Sequence, residues 1–565
     1  MQEGQLDPGG ADAGTADGSV GAPSRSLVLV ILGMAQFINA YDTTSMNVAL
    51  SNIVQDLGTT ITGIQSAITM YALVMAAFMI TGGKLADIWG RKRAFRLGIF
   101  LYGLGAGTTA LAPNIWVMLF GWSLLEGLGS GLMIPAVYTL IMANFPAGKS
   151  RVAAIGTVSA MLAMGAGMGP IIVGFLATFL TWRISFAGEV VVVLIVLSLS
   201  RKHLSDSKLS GPVPHLDITG AILSAAGMAL VVFGVLQASN YGWTSARKPF
   251  SVAGHRLIDE GGISPVIYFV VAGLAVLGIF LLWTHSRERR GKEPLIHLAI
   301  FKVRTLTAGL IVLVALLFMQ AGVLFVVPVY LQTSLEYTAL QTGLTVIPLT
   351  FILLVVSRAA GKLSQRFAPG RLIQAGFVLM MAGAAIMAAG IIPHKSGLEF
   401  APALMLMGIG LGLSTPPVNN LVLSTVGPDY QSEASGLSRS LQNLGSSLGT
   451  AVAGAIIVAG IIASVHSQVA ASTVLTPDLK ETVNTVAEND ARAVSQAQVT
   501  QLVAGVPQPQ AGEIVTINDK ARDTGLRNAA IVVGSLGTIG LISTLLLPAS
   551  VRKRRREQGQ PEGTG

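Results

Sequence analysis

Apolar runs of roughly twenty residues, the length that crosses a bilayer as an α-helix, recur along this sequence. They fall at 27–49, 63–83, 95–112, 115–142, 152–176, 184–200, 217–238, 264–284, 305–331, 341–359, 371–392, 399–422, 434–462 and 528–549. Composition agrees with a chain that lives in lipid. Of 565 residues, 52% are hydrophobic and 12% charged, about half the charged share of a soluble globular chain. The mean hydropathy is +0.66, and the 65 glycines suit helices packed closely in lipid. The expected fold class is all-α integral membrane, with fourteen transmembrane helices.

Fourteen spans put both termini on one side, and the positive-inside rule says which. Most of the 37 basic residues fall on the N-terminal side, clustered at 84–96, 201–208, 287–304, 358–371 and 552–556. Both termini are therefore expected to be cytoplasmic, in a multi-pass protein of the plasma (inner) membrane. The net charge of +9 reads as this orientation signal, not as a nucleic-acid footprint. Residues 1–26 lack the basic start and apolar core of a signal peptide and read as a disordered cytoplasmic tail. Residues 551–565 read as a basic cytoplasmic tail that meets anionic membrane lipid.

Several chemistries are excluded. The chain has no cysteine, so disulfides, thiolate metal sites and cysteine nucleophiles are ruled out. Seven scattered histidines show no metal-ligand spacing. Ala147-Gly148-Lys149-Ser150 imitates the end of a phosphate-binding loop, but Ala143 stands where the first glycine belongs and no strand precedes it. No Gly-x-Ser-x-Gly elbow with credible partners occurs. No metal, no cofactor and no enzymatic activity are expected.

The sequence also echoes itself. Gly83-Lys84-Leu85 follows the second span and leads to Arg91-Lys92-Arg93; Gly361-Lys362-Leu363 follows the tenth and leads to Arg366 and Arg371. Paired halves are the build of many secondary transporters. The expected organisation is a six-helix half at 27–200, a linker at 201–304 with two extra transmembrane helices, and a six-helix half at 305–550. The second half contains a polar extracytoplasmic loop at 463–527. Two readings of that loop stand: a mostly disordered segment, or a helix started by Thr476-Pro477-Asp478 with Val483, Val486, Val494 and Leu502 as its apolar stripe.

Gly82-Gly83-Lys84-Leu85-Ala86-Asp87-Ile88-Trp89-Gly90-Arg91-Lys92-Arg93 resembles the signature loop of the major facilitator superfamily. Gly165, Gly169-Pro170 and Gly174 in the fifth span are similar to that family's antiporter motif. Asp42-Thr43 with Asn47-Val48-Ala49-Leu50 in the first span resembles a motif of its fourteen-helix drug:proton antiporters. The resemblance covers about residues 27–550. It implies two six-helix halves plus two linker helices, a rocking alternating-access mechanism, and export. One departure stands out: Ser123-Leu124-Leu125-Glu126-Gly127 places Ser where the family's fourth helix has Arg and Glu where it has Gln, which turns attention to Glu126.

An ionised carboxylate at mid-bilayer costs roughly 2.5–3.5 kcal/mol even on mild insertion scales. Asp42 and Glu126 lie deep in their spans, and Glu189 lies about one turn inside the sixth. All three are candidate proton-coupling groups; the bland alternative is fixed polar packing. Gly83, Asp87, Gly90, Arg91, Lys92 and Arg93 are the candidate cytoplasmic gate, with glycines for the tight turn and cations pairing with acids or headgroups. Gly165, Gly169, Pro170 and Gly174 are expected to bring the fifth helix close against the second half. Gln36, Asn39, Gln320, Tyr330, Asn419, Asn420 and Asn443 are candidate substrate-cavity residues, each also readable as plain helix packing.

The function expected is secondary active export of small amphipathic or cationic compounds (multidrug efflux) in exchange for protons, by a monomer. The alternatives are an exporter of one natural cargo such as a lipid, siderophore or antibiotic, and, more distantly, a non-transporting membrane sensor.

Overall fold

The structure is a computed structural model that describes residues 25–145, 149–204, 215–252, 255–390, 396–426, 431–489, 499, 503 and 505–547. Each of the fourteen apolar runs is helical there. The first half comprises α1 (Arg25–Val48), the short α2 (Leu50–Asp56), α3 (Ile61–Trp89), α4 (Arg91–Ala110), α5 (Ile115–Met118), a π-helical stretch (Leu119–Glu126), α6 (Gly127–Asn144), α7 (Lys149–Phe179) and α8 (Arg183–His203). The linker pair is α9 (Ile218–Tyr241) and α10 (Pro265–Arg289). The second half comprises α11 (Arg304–Thr333), α12 (Ala339–Arg366), α13 (Pro369–Gly390), α14 (Ala401–Ser424), α15 (Gln431–Ala471), α16 (Pro477–Asn489) and α17 (Gln510–Ser543). Among the described residues, thirteen spans are long and apolar enough to cross a membrane; α4, which opens on four basic residues within its first six, packs between α6 and α8 inside the bundle.

Neighbour relations repeat between the halves. In the first, α1 packs on α7, α3 on α6, and α4 on α6 and α8. In the second, α11 packs on α15, α12 on α14, and α13 on α14 and α17. The halves meet along two seams, α3 with α15 and α7 with α12, and α9 lies across the first of these. The linker helices are stapled to each other by the buried Asp217. Its Oδ1 accepts from Gly220 N–H at 3.0 Å and Trp283 Nε1 at 3.1 Å, and its Oδ2 lies 3.5 Å from Arg287 Nε. A two-stranded hairpin, β1 (Phe250–Val252) with β2 (His255–Ile258), joins them; no hydropathy signal marked it.

We call the end of the bundle that holds Arg25 and Lys84 proximal, and the end that holds Asp56 and Gln332 distal. The long polar segment after the thirteenth span is more helical than expected. Helix α15 runs on to Ala471 and α17 starts at Gln510, eighteen residues before its apolar run. The two extensions pack together, with Arg522 almost fully buried between Ser334 (3.0 Å) and Asp519 (2.9 Å). Helix α16 begins where Thr476-Pro477-Asp478 suggested, but its buried side carries Val483 and Ala487, while Val486 is exposed. Val483 and Ala487, four positions apart, share a face at 3.6 residues per turn. Val494, Leu502 and the two tails lie outside the described residues.

Candidate functional site

The three intramembrane acids converge. Asp42 comes from α1, Glu126 from the end of the π-helical stretch, and Glu189 from α8, and their carboxylate oxygens lie within 4.8 Å of one another. All are buried: 0%, 0% and 3% exposed. Each has one oxygen bonded to a neutral donor. Trp122 Nε1 donates to Asp42 Oδ1 at 2.7 Å, Tyr102 Oη to Glu189 Oε2 at 2.7 Å, and Thr109 Oγ1 approaches Glu126 Oε1 at 3.3 Å. The second oxygen of each has no hydrogen-bond partner among the described residues.

Local sequence explains why these groups meet. A π-helical turn widens the helix and re-aims its side chains, and such turns concentrate at functional sites. This one swings Glu126 toward α4. Glycines let the two helices close on it: a Cβ at Gly105 would stand 2.5 Å from Glu126 Cγ, and one at Gly129 would stand 2.5 Å from Tyr102 N. Trp122 is held by stacking on Tyr71, with ring centroids 4.8 Å apart and planes 4° from parallel. Ser123 donates to the Ala67 carbonyl at 2.9 Å. Three negative charges at such separations would repel by roughly 3.5 kcal/mol per pair at an effective dielectric of ~20. A group that holds protons removes that repulsion.

The space between the halves is a separate feature. A cavity of about 230 Å³ is walled by α1, α7, α11, α12 and α14, with Thr44, Asn47, Gln320, Thr350, Ser357 and Thr415 among its polar lining and leucines between them. Of the expected cavity residues, Gln320 is in this wall. Gln36 and Asn39 are buried inside the first half, where Asn39 Nδ2 donates to Ser130 Oγ at 2.9 Å. Tyr330 packs against Phe400. Asn419 accepts from Gln442 Nε2 at 3.3 Å, Asn443 faces the Met79 sulfur at 3.9 Å, and Asn420 is exposed. Helix α1 carries both features: Asp42 points into the acid cluster while Thr44 and Asn47 face the cavity.

The antiporter-motif residues split between two jobs. A Cβ at Gly165 would lie 2.2 Å from the Phe37 carbonyl oxygen, and one at Gly169 would lie 2.5 Å from Thr44 Oγ1, so these glycines seat α7 on α1 of the same half. Further along, a Cβ at Gly174 would lie 2.9 Å from the Ala339 oxygen, and the Pro170 carbonyl presses against Gly343 of α12. Of the four motif residues, Pro170 and Gly174 pack on the second half, while Gly165 and Gly169 pack on α1.

The proximal loop holds a further difference. Gly90 sits at φ +97°, a conformation that glycine adopts freely, and Gly83 lies on the part of α3 facing Pro135. Arg91 Nη1 reaches the Thr139 carbonyl at 3.4 Å and Lys92 Nζ the Arg201 carbonyl at 3.0 Å. Lys92 thus binds a carbonyl in the last turn of α8, which carries partial negative charge, and Arg91 one in the body of α6, where acids or headgroups were expected. Arg93 has an interaction of its own, and the side chain of Asp87 lies outside the described residues. Among the described residues, Lys84 is a charge that crosses to an acid beyond its own half. It meets Glu433 of α15 at 3.6 Å and Glu293 of the linker at 3.2 Å, and Glu433 also holds His297 at 2.9 Å. Arg439 adds a bond to the Tyr138 hydroxyl at 3.1 Å.

Residues 32–450 match the Major Facilitator Superfamily. The chain belongs to this superfamily. Among curated relatives of this superfamily chain, the tetracenomycin C resistance and export protein of Streptomyces glaucescens is 28% identical over 456 residues, covering 80% of each chain. The multidrug resistance protein Stp of Mycobacterium tuberculosis is 27% identical over 444 residues, covering 78% of each. Among solved structures, an inward-facing, unoccupied bacterial homologue of the human lysosomal transporter Spinster aligns with a TM-score of 0.58 at 14% identity, over 93% of this chain and 97% of that one. That likeness carries the fold.

Sequence reasoning named the three acids but not their partners Trp122, Tyr102 and Thr109, nor Lys84 and Glu433 as the inter-half pair. Side chains with a hydroxyl or indole N–H inside an apolar span were the available signal, since such a donor needs an acceptor when buried.

Proposed function

We propose that this superfamily member exports small amphipathic compounds in exchange for protons by alternating access, with Asp42, Glu126 and Glu189 as one shared proton-carrying group. One observation carries the reading: three buried carboxyls gathered within 4.8 Å, each with an oxygen left free of protein donors among the described residues. Acids kept in hydrocarbon at such cost mark proton relays. Because α1 bears Asp42 on one face and cavity residues on another, protonation at the first can bias which way the second opens. The cavity is the substrate site, neutral and adaptable in its lining. The basic proximal face is cytoplasmic, the membrane is the plasma membrane, and the working unit is a monomer.

The names of the relatives, a multidrug resistance protein and an antibiotic resistance and export protein, support export as the direction. A second reading, one dedicated natural cargo, draws on the packed distal extensions of α15 and α17, which offer a surface beyond the membrane for handing a molecule on. The experiment is substrate-induced proton release from purified protein, screened over cationic dyes, neutral amphipaths and lipids. Release that depends on a substrate and is lost in Asp42→Asn and Glu126→Gln supports the proposal. Full gradient-driven transport by both variants in proteoliposomes sinks it.

A further inference from the structure

Helix α1 stops at Val48 and α2 starts at Leu50. In an uninterrupted helix the Ser51 N–H would donate to the Asn47 carbonyl four residues back. Here a side chain from the opposite half is inserted into that ladder. Gln332, at the distal end of α11, accepts from Ser51 N–H at 2.9 Å through Oε1. Its Nε2 donates to the carbonyls of Val48 at 3.0 Å and Asn47 at 3.3 Å. Ala49, at the N-cap of α2, has no side-chain oxygen to do this locally. Gln332 is itself 5% exposed. One amide therefore satisfies the donor and the acceptors of a helix break that belongs to the other half.

A reciprocal contact lies on the same face. Gln65 of α3 donates through Nε2 to the carbonyls of Ala451 at 3.0 Å and Thr450 at 3.3 Å on α15. Gly454 leaves the notch for it: a Cβ there would stand 2.1 Å from Gln65 Cδ. On the other seam, Thr178 Oγ1 of α7 accepts from Leu340 N–H of α12 at 3.0 Å. Among the described residues, these distal contacts are neutral side chains on backbone, while the proximal end uses the ion pair of Lys84 with Glu433. Asn47 and Val48, whose carbonyls Gln332 holds, also form part of the cavity wall, so the latch and the cavity share two residues.

We propose that Gln332 is the positioning residue of the distal gate: it bridges the α1–α2 break from the second half, holds the distal ends together, and must let go for the cavity to open distally. The proposal rests on alternating access and not on proton exchange, so failure of proton coupling leaves it standing. Separation of the distal ends replaces the three amide contacts by water at the break. Contacts of this kind are worth enough to bias a two-state equilibrium about tenfold.

The chain has no cysteine, so Gln55→Cys with Leu398→Cys, both exposed at the distal face, places two spin labels on opposite halves without further engineering. Double electron–electron resonance in nanodiscs, with neither substrate nor pH gradient, then reads the distal distance. Gln332→Leu removes all three contacts and should raise the ratio of long to short distances about tenfold. Ser51→Pro removes only the donor, at a first-turn position that tolerates proline, leaves the second half untouched, and should shift the same ratio by less. It carries the test if Gln332→Leu does not fold. Adding Ala49→Ser to Gln332→Leu supplies a local cap without linking the halves, and the open ratio should persist. An unchanged distribution in Gln332→Leu, or in Ser51→Pro, overturns the proposal. So does return to the native distribution with Ala49→Ser, which would reduce Gln332 to a helix cap.

Discussion

Removing the cation at Lys84 should loosen the proximal end of the bundle. Lys84 Nζ lies 3.2 Å from Glu293 and 3.6 Å from Glu433, and the side chains of Lys84 and Glu433 are each 12% exposed. Two unit charges at those distances attract by roughly 5 kcal/mol at an effective dielectric of ~20, and desolvation returns part of it. Exposed pairs net about 0–1 kcal/mol, whereas breaking a fully buried pair costs about 3–5 kcal/mol. A mostly buried lysine shared by two acids falls between, near 2 kcal/mol, or about thirtyfold in a two-state equilibrium. Lys84→Met keeps the length of the side chain and deletes the charge. A reporter is at hand in Ser440, 1% exposed, whose hydroxyl bonds the Ala76 carbonyl across the α3–α15 seam. In a Ser440→Cys background, the rate of alkylation by a small maleimide should rise about thirtyfold when Lys84→Met is added, and 1 M salt should narrow the gap. An alkylation rate that Lys84→Met leaves unchanged would refute the assignment of this cluster as an inter-half latch.

Other substitutions test other parts. Asp42→Asn should preserve the bond from Trp122 yet abolish gradient-driven uptake into inverted vesicles by at least about tenfold, while substrate binding to detergent-solubilised protein changes less than threefold by the same ligand titration. Gly343→Val places a branched side chain where even a Cβ would stand 2.2 Å from the Pro170 oxygen. It should force α7 and α12 apart distally at a cost of about 1–3 kcal/mol, seen as a longer distal distance between spin labels. Arg522→Met leaves Asp519 without its 2.9 Å partner in a buried setting. It should destabilise the α15–α17 extensions by about 3 kcal/mol, read as a lower melting midpoint and faster proteolysis near residue 505.

The spans were legible because lipid imposes a length rule that any window of sequence can be checked against. The acids were legible because charge inside such a window is costly. The signature loop was legible as a cluster of cations, but not that Arg91 and Lys92 would bind carbonyls of α6 and α8 while Lys84 crosses to Glu433. That division depends on which acceptor each cation can reach after packing.

Hydropathy, a count of basic residues and three short motifs thus determine by themselves that this chain is a paired-half membrane bundle with acids in its first half. Only tertiary structure decided that Glu189 joins Asp42 and Glu126, separated by 147 and 63 positions in the chain, and that Gln332 reaches back 281 positions to Ser51. Local pattern fixes which face of a helix avoids lipid. Which helix that face meets is set by glycine notches, a π-helical turn and the pairing of halves, all of which exist only once distant segments are packed together.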